Sequence, residues 1–191
     1  MRSGPFWLPA LPLVAVFVAG CVTPALKGQA ALSRGHYAEA AERFEEAVAA
    51  DPDEVQALVG LGISRYRLGG LEEAKRPLAQ AVTQAPELPI ARLYLGLVAL
   101  QTGDDGGADE HLGALLRLAP HPRVADHVER TLRMLRGDGV TGEMRAYMAA
   151  SLDDEASLAW ELADTRRALR ESELRRLTDE RIIFVAPRCR C

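Results

Sequence analysis

The groups in this 191-residue sequence with chemistry to offer are four histidines, three cysteines and a few neighbouring acids. His121 and His127 flank a helix start, with Asp126 between them, and imidazole with carboxylate is a metal-type donor set. Their spacing fixes no set of ligands, so with His36 and His111 they read as surface histidines on a polar rim. Cys189 and Cys191 are one residue apart, and a metal or redox use would need further ligands nearby. Glu45, Glu46, Glu72 and Glu73 sit on outer faces of the second helices and read as solvating charges rather than acid–base pairs. The sequence holds no glycine-rich phosphate loop, zinc-protease helix motif or nucleophile elbow. It points to a non-enzyme without metal, cofactor or small-molecule substrate. With a formal net charge of −4, and arginines clustered only near the C-terminus among acids, nothing favours nucleic acid, which wants a basic face.

What must be positioned, then, is a surface, and the elements that build it repeat. Laid over itself with a shift of 34 residues, the stretch 55–88 matches 89–122. Ala57 falls on Ala91, Leu61 on Leu95, Gly62 on Gly96, Gly69 on Gly103, Ala74 on Ala108, Leu78 on Leu112 and Pro86 on Pro120. The same shift backward brings Gly35, Ala40, Phe44, Ala47 and Pro52 into phase. Constant phase of small, large apolar and closing proline residues signals a helical array. Each unit is a helix pair. The middle glycine ends the first helix in a left-handed turn, and the proline closes the second. Small residues at Gly62, Ala74, Gly96 and Ala108 let the helices approach, while Phe44, Leu78 and Leu112 fill the space beside them. With 48% hydrophobic but only 5% aromatic residues, the Ala/Leu-rich balance suits packed helices better than sheets.

At these residues the chain resembles the tetratricopeptide repeat family. The resemblance implies an all-α fold, a right-handed superhelix of about three helix pairs with a concave binding groove. The unit before Pro52 matches in its second half; its first half matches only at Gly28, with Pro24 and Lys27 where large apolar residues are usual. The family's clamp for a C-terminal carboxylate uses Lys, Asn and Arg on the concave face, and those are largely missing here.

Residues 1–20 carry one Arg, an apolar run too short for a permanent span, and Ala19-Gly20 before Cys21, the architecture of a secretory signal. Val18-Ala19-Gly20-Cys21 is similar to the lipobox of bacterial lipoproteins. That resemblance implies cleavage before Cys21, a diacylglycerol on its sulfur and an acylated amino terminus. Two or more chains anchor stably. An uncleaved anchor with an incidental cysteine is the competing reading. Residues 21–29 are a lipidated tether and the start of the first repeat, and 30–136 the array.

The array ends in a capping helix, Arg123–Arg136, with Val124, Val128, Leu132 and Leu135 at helical spacing. Residues 137–180 form a helical extension. After the break at Gly137-Asp138-Gly139, a short helix covers Glu143–Ala150. Ser151-Leu152-Asp153-Asp154, which resembles a capping-box start, opens a longer one, to about Asp179, with Leu158, Leu162, Leu169 and Leu177 in a stripe. It either docks on the array or faces a partner or lipid. In the tail, 181–191, the run Arg181–Ala186 reads as a strand.

The groove is lined by the first helices of the units: Val59, Ile63, Tyr66, Arg67, Ile90, Leu93, Leu97 and Leu100. The helix Pro89–Gln101 is apolar nearly all round, so something must cover it on its groove side. Either helix 154–179 folds back, favoured by its tether, or a partner's helix or extended segment docks. Both hold if tail and partner compete. The expected function is a lipid-anchored scaffold in a bacterial cell envelope, at the periplasmic face of the outer membrane. It would bind a protein segment of the pilus, secretion or outer-membrane assembly class. The alternative is an accessory subunit of an envelope enzyme such as a peptidoglycan hydrolase or polymerase.

Overall fold

A computed structural model describes residues 23–118, 121–137 and 139–182; within 158–182 the side chains described are Arg167, Arg170, Glu171, Leu174 and Arg175. Among the described residues there are eight helices: α1 (Pro24–Ser33), α2 (Tyr37–Ala50), α3 (Val55–Arg67), α4 (Leu71–Gln84), α5 (Pro89–Thr102), α6 (Asp105–Arg117), α7 (Pro122–Leu135) and α8 (Gly142–Ile182). No described residue is in a strand.

The 34-residue period is visible atom by atom. Gly35, Gly69 and Gly103 have φ of 76°, 82° and 78°, the left-handed conformation expected at the turn between paired helices. In each unit the next residue's N–H reaches back to the carbonyl five residues earlier. His36 bonds Ala31 at 3.0 Å, Gly70 bonds Arg65 at 2.9 Å, and Asp104 bonds Ala99 at 2.9 Å. The second glycine of the period makes the close approach. A Cβ on Gly28 would sit 2.9 Å from the Phe44 ring, one on Gly62 2.4 Å from Leu78, and one on Gly96 2.5 Å from Leu112. Phe44, Leu78 and Leu112 are each almost wholly buried against those bare backbones.

The helix starts follow from local chemistry. Pro24, Pro89 and Pro122 occupy the first turns of α1, α5 and α7, where a missing N–H costs nothing. Thr23 caps α1, its Oγ1 accepting from the Leu26 N–H at 3.3 Å. The half-unit with the weakest match therefore forms a complete helix from Pro24, with Gly28 and Ala31 buried.

Successive helices pack on one another; α1 also meets α3, α3 meets α5, and α8 lies against both α5 and α7. One buried cluster runs from Leu58 through α5 to Val128 and Ala156, and a smaller one surrounds Phe44. The capping helix is present as α7, burying Val124, Val128, Leu132 and Leu135.

The extension differs from expectation in one respect. The short helix Glu143–Ala150 and the longer one after it are a single helix, α8. Ser151 is not a cap: its hydroxyl lies 2.8 Å from the His127 imidazole of α7. Between Glu143 and Ile182 no glycine or proline interrupts the helix, and alanine, leucine, glutamate and arginine propagate it. Arg181 and Ile182, expected at the start of a strand, are its last residues. The rest of that run, Cys189, Cys191 and the leader through Cys21 lie outside the described residues.

Candidate functional site

The groove wall is α3 and α5. Of the residues expected there, Val59, Ile63, Tyr66, Leu93, Leu97 and Leu100 are buried, while Arg67 and Ile90 are half-buried. Every residue from Leu93 to Leu100 is buried, so the all-apolar helix is covered on every side. What fills the groove is the first third of α8. Ala149, Leu152 and Ala156, spaced three and four apart on one helix face, are fully buried in the same cluster as Leu93, Leu97 and Leu100. The fold-back is thus made by residues just before and at the start of the 154–179 segment. The side chains of Leu158, Leu162, Leu169 and Leu177 lie outside the described residues.

A polar latch sits inside this apolar contact. Asp153, only 5% exposed, places Oδ1 2.9 Å from Arg67 Nη2 and 2.8 Å from the Tyr94 hydroxyl, which donates to it. Arg67 Nη2 also donates to Ser157 Oγ at 3.1 Å and to Tyr94 Oη at 3.4 Å. The guanidinium lies 5.9 Å from the Tyr37 ring centroid, within cation–π range. Tyr94 meets Tyr66 edge to face at 5.4 Å, and Gln101 donates to the Tyr66 hydroxyl at 2.7 Å. Arg67, Tyr94, Asp153 and Ser157 therefore join α3, α5 and α8 at one point.

Electrostatics keep the latch charged on one side and soft on the other. Burial works against the Arg67 cation, but the Tyr94 hydrogen bond and the Asp153 charge outweigh it and raise its pKa further. Burial pushes the Asp153 carboxyl above the ordinary carboxylate range, although the Tyr94 hydrogen bond and Arg67 pull the other way. Burial, then the Asp153 charge, lifts the Tyr66 and Tyr94 hydroxyls well above the usual tyrosine value, so both remain protonated donors. A carboxylate taken out of water this far stands only while both donors stay in place.

Outside the groove, two arginines tie later helices to α6. Exposed Arg136, at the end of α7, pairs with Asp109 at 2.7 Å, and partly buried Arg145 of α8 pairs with Asp105. The histidines are spent on local bonds. His121 Nδ1 accepts from the Arg123 N–H at 3.3 Å, and His127 contacts Ser151. Among the described residues no three His, Cys, Asp or Glu side chains gather as metal ligands. No described helix is long and apolar enough to cross a membrane. The structure brings Arg67 and Tyr66 together with Tyr94 and Asp153, whereas the sequence reading places Asp153 in a helix start. The signal for its role is its place in the stripe of Met148, Ala149, Leu152 and Ala156, since an acid inside an apolar face needs a buried partner.

Comparison with known proteins agrees with this architecture. The family model described as "Tetratricopeptide repeat" matches residues 26–89 and 59–122, together just over half of the chain. The chain belongs to the tetratricopeptide repeat family. It is similar to the Protein CTR9 homolog of Arabidopsis thaliana, 32% identical over 87 residues, which cover 44% of this chain but 8% of that relative's length. Among solved structures it resembles the type III secretion translocator chaperone SycD of Yersinia enterocolitica. That match has a TM-score of 0.56 at 19% identity, over 59% of this chain and 81% of that one. SycD in complex with a peptide of the translocator YopD gives 0.55 at 19%, over 59% and 89%. The Sgt2 TPR domain of Aspergillus fumigatus gives 0.53 at 21%, over 62% and 83%. At these identities the likeness is one of fold.

Proposed function

We propose that this chain is a non-catalytic adaptor of a bacterial cell envelope. In this reading a lipidated Cys21 moors it to the membrane, at the periplasmic face of the outer membrane, and its groove holds a segment of another envelope protein. The observation that carries the reading is the seat of α8. The wall formed by Leu93, Leu97 and Leu100 accepts an amphipathic helix, the mode by which grooves of this kind take partner segments. SycD, whose fold is shared, takes a peptide of YopD. Support for the assembly class of partner, for pili, secretion channels or outer-membrane machinery, is architectural: a lipobox-like leader joined to the repeats. Affinity capture from solubilised envelope with the full chain, beside a Leu152→Ala variant with a loosened α8, tests the partner. Enrichment of assembly components, stronger with the variant, is expected. Recovery of wall hydrolases or polymerases would favour the accessory-subunit reading instead. Cys21→Ala tests the anchor, since the variant should lose metabolic lipid labelling and leave the membrane fraction.

A further inference from the structure

The apolar part of the groove would accept many helices; the latch would not. Arg67 is held at the groove edge by Tyr94 and the Tyr37 ring, and it keeps its charge there. Among the described residues its Nε has no acceptor, so the carboxylate of Asp153 carries most of its compensation. A helix that replaces α8 without bringing an acid would leave this cation covered and unpaired, which is strongly unfavourable. The position of the acid is set as well. Leu152 is wholly buried in the groove, and the next residue, rotated about 100° around the helix, is the one aimed at Arg67 and Tyr94. One turn on, Ser157 takes the second Nη2 contact and Ala156 keeps the contact close.

Resting on the groove-binding reading above, we infer that the partner segment is an amphipathic helix with an aspartate directly after its central leucine. The pattern is small–x–x–Leu–Asp–x–x–small–Ser, as α8 shows from Ala149 to Ser157, and α8 is its tethered competitor. Selection works through the acid. An apolar stripe alone fills the groove but leaves Arg67 without its anion. The tether gives α8 a high effective concentration, so a partner helix enters only when it matches both features or when α8 is weakened.

The test uses the full chain and a fluorescent peptide copying residues 142–160, read by anisotropy. The native peptide should bind a D153N protein at least about tenfold more tightly than the unaltered protein, because D153N weakens the internal competitor while leaving Arg67 in place. On that D153N protein, a peptide carrying the same Asp153→Asn change should bind about tenfold more weakly than the native peptide. On an R67M/D153N protein the two peptides should bind alike. Full-chain L152A serves as a second opened form, and thermal melts check that each variant is folded. If both peptides bind D153N and L152A equally, the acid rule fails while groove binding survives. If the native peptide binds neither opened form at about 1 mM, groove binding itself fails.

Discussion

Arg65 and Arg67 stand two positions apart on α3 and serve opposite sides of the array. Two residues turn a helix by about 200°, so neighbours at this spacing cannot share a face. Arg65 reaches outward, donating to Glu45 of α2 at 2.8 Å and to the Glu73 carbonyl of α4 at 3.1 Å. Arg67 reaches into the groove and holds Asp153 of α8.

The two arginines should therefore fail differently. Arg65→Ala removes the donor from a helix carbonyl and should cost the array about 1–2 kcal/mol, while α8 stays docked. Its ion pair with half-exposed Glu45 adds little. Arg67→Met leaves Asp153 buried without its cation. It should release α8 while the repeats remain folded, because successive helices of the array also pack directly on one another. Hydrogen exchange reads both: faster exchange confined to 142–157 for Arg67→Met, and a general loss of protection for Arg65→Ala. Identical exchange maps would refute the division of labour.

The Glu73 carbonyl needs Arg65 because of Pro77. Proline inside α4 has no N–H to offer the carbonyl four residues earlier, which is that of Glu73. Arg65 supplies the missing donor. In a Pro77→Ala background the amide of residue 77 can take over, so Arg65→Ala should cost about 1 kcal/mol less there than in the unaltered chain. Urea unfolding of the four proteins of the cycle measures it. Equal costs in both backgrounds would show that Arg65 does not compensate for the proline.

The period exposes most of the fold to inspection, because a helical hairpin needs its turn glycine, close-approach glycine and filler side chain at fixed offsets. Gly62 and Leu78 show their relationship in sequence alone. So does α5, whose apolar circumference demands a cover. The latch is harder to see. Ser151-Leu152-Asp153-Asp154 carries the residue types of a helix start, and a local rule favours reading it so. In the folded chain the same residues are helix interior. Ser151 is turned to His127 and Asp153 to Arg67, a residue 86 positions away. Contacts at that separation are chosen by tertiary packing, which local preference does not encode. The one sequence clue, an acid within an apolar stripe, says that a partner exists without saying which.

Glycines in the repeats are of two kinds, and substitution should separate them. A Cβ at Gly62 would lie 2.4 Å from Leu78 Cγ, so Gly62→Ala overpacks the α3–α4 contact and should destabilise by about 1–3 kcal/mol. Gly113, within α6, has nothing within 4 Å of its would-be Cβ. Gly113→Ala should stabilise by about 0.5–1 kcal/mol through helix propensity alone. Adding Leu78→Val to Gly62→Ala should restore part of the loss. Thermal melts that move both single variants in the same direction would contradict this assignment.

Acid should loosen α8 through His127. Burial, and then the Arg130 charge, hold its imidazole below the ordinary histidine range, with Glu155 pulling the other way. A folded-state value below the unfolded one means that the native state disfavours the proton. The contribution of His127 is therefore complete above about pH 6.5 and is lost as pH falls through the folded value. The loss falls on the α7–α8 contact, where the ring meets Ser151 at 2.8 Å. Asp153 acts in the opposite sense. Its raised value means that its contribution declines as pH rises from the carboxylate range through the folded value. Hydrogen exchange of 142–157, followed from pH 7.5 to pH 5 with intrinsic exchange rates factored out, should show α8 opening more at the acid end in the unaltered chain. In His127→Gln, which keeps a polar side chain without the proton, that rise should disappear and only the shallow opposite trend from Asp153 should remain. An unchanged pH profile in the variant would place the acid sensitivity elsewhere.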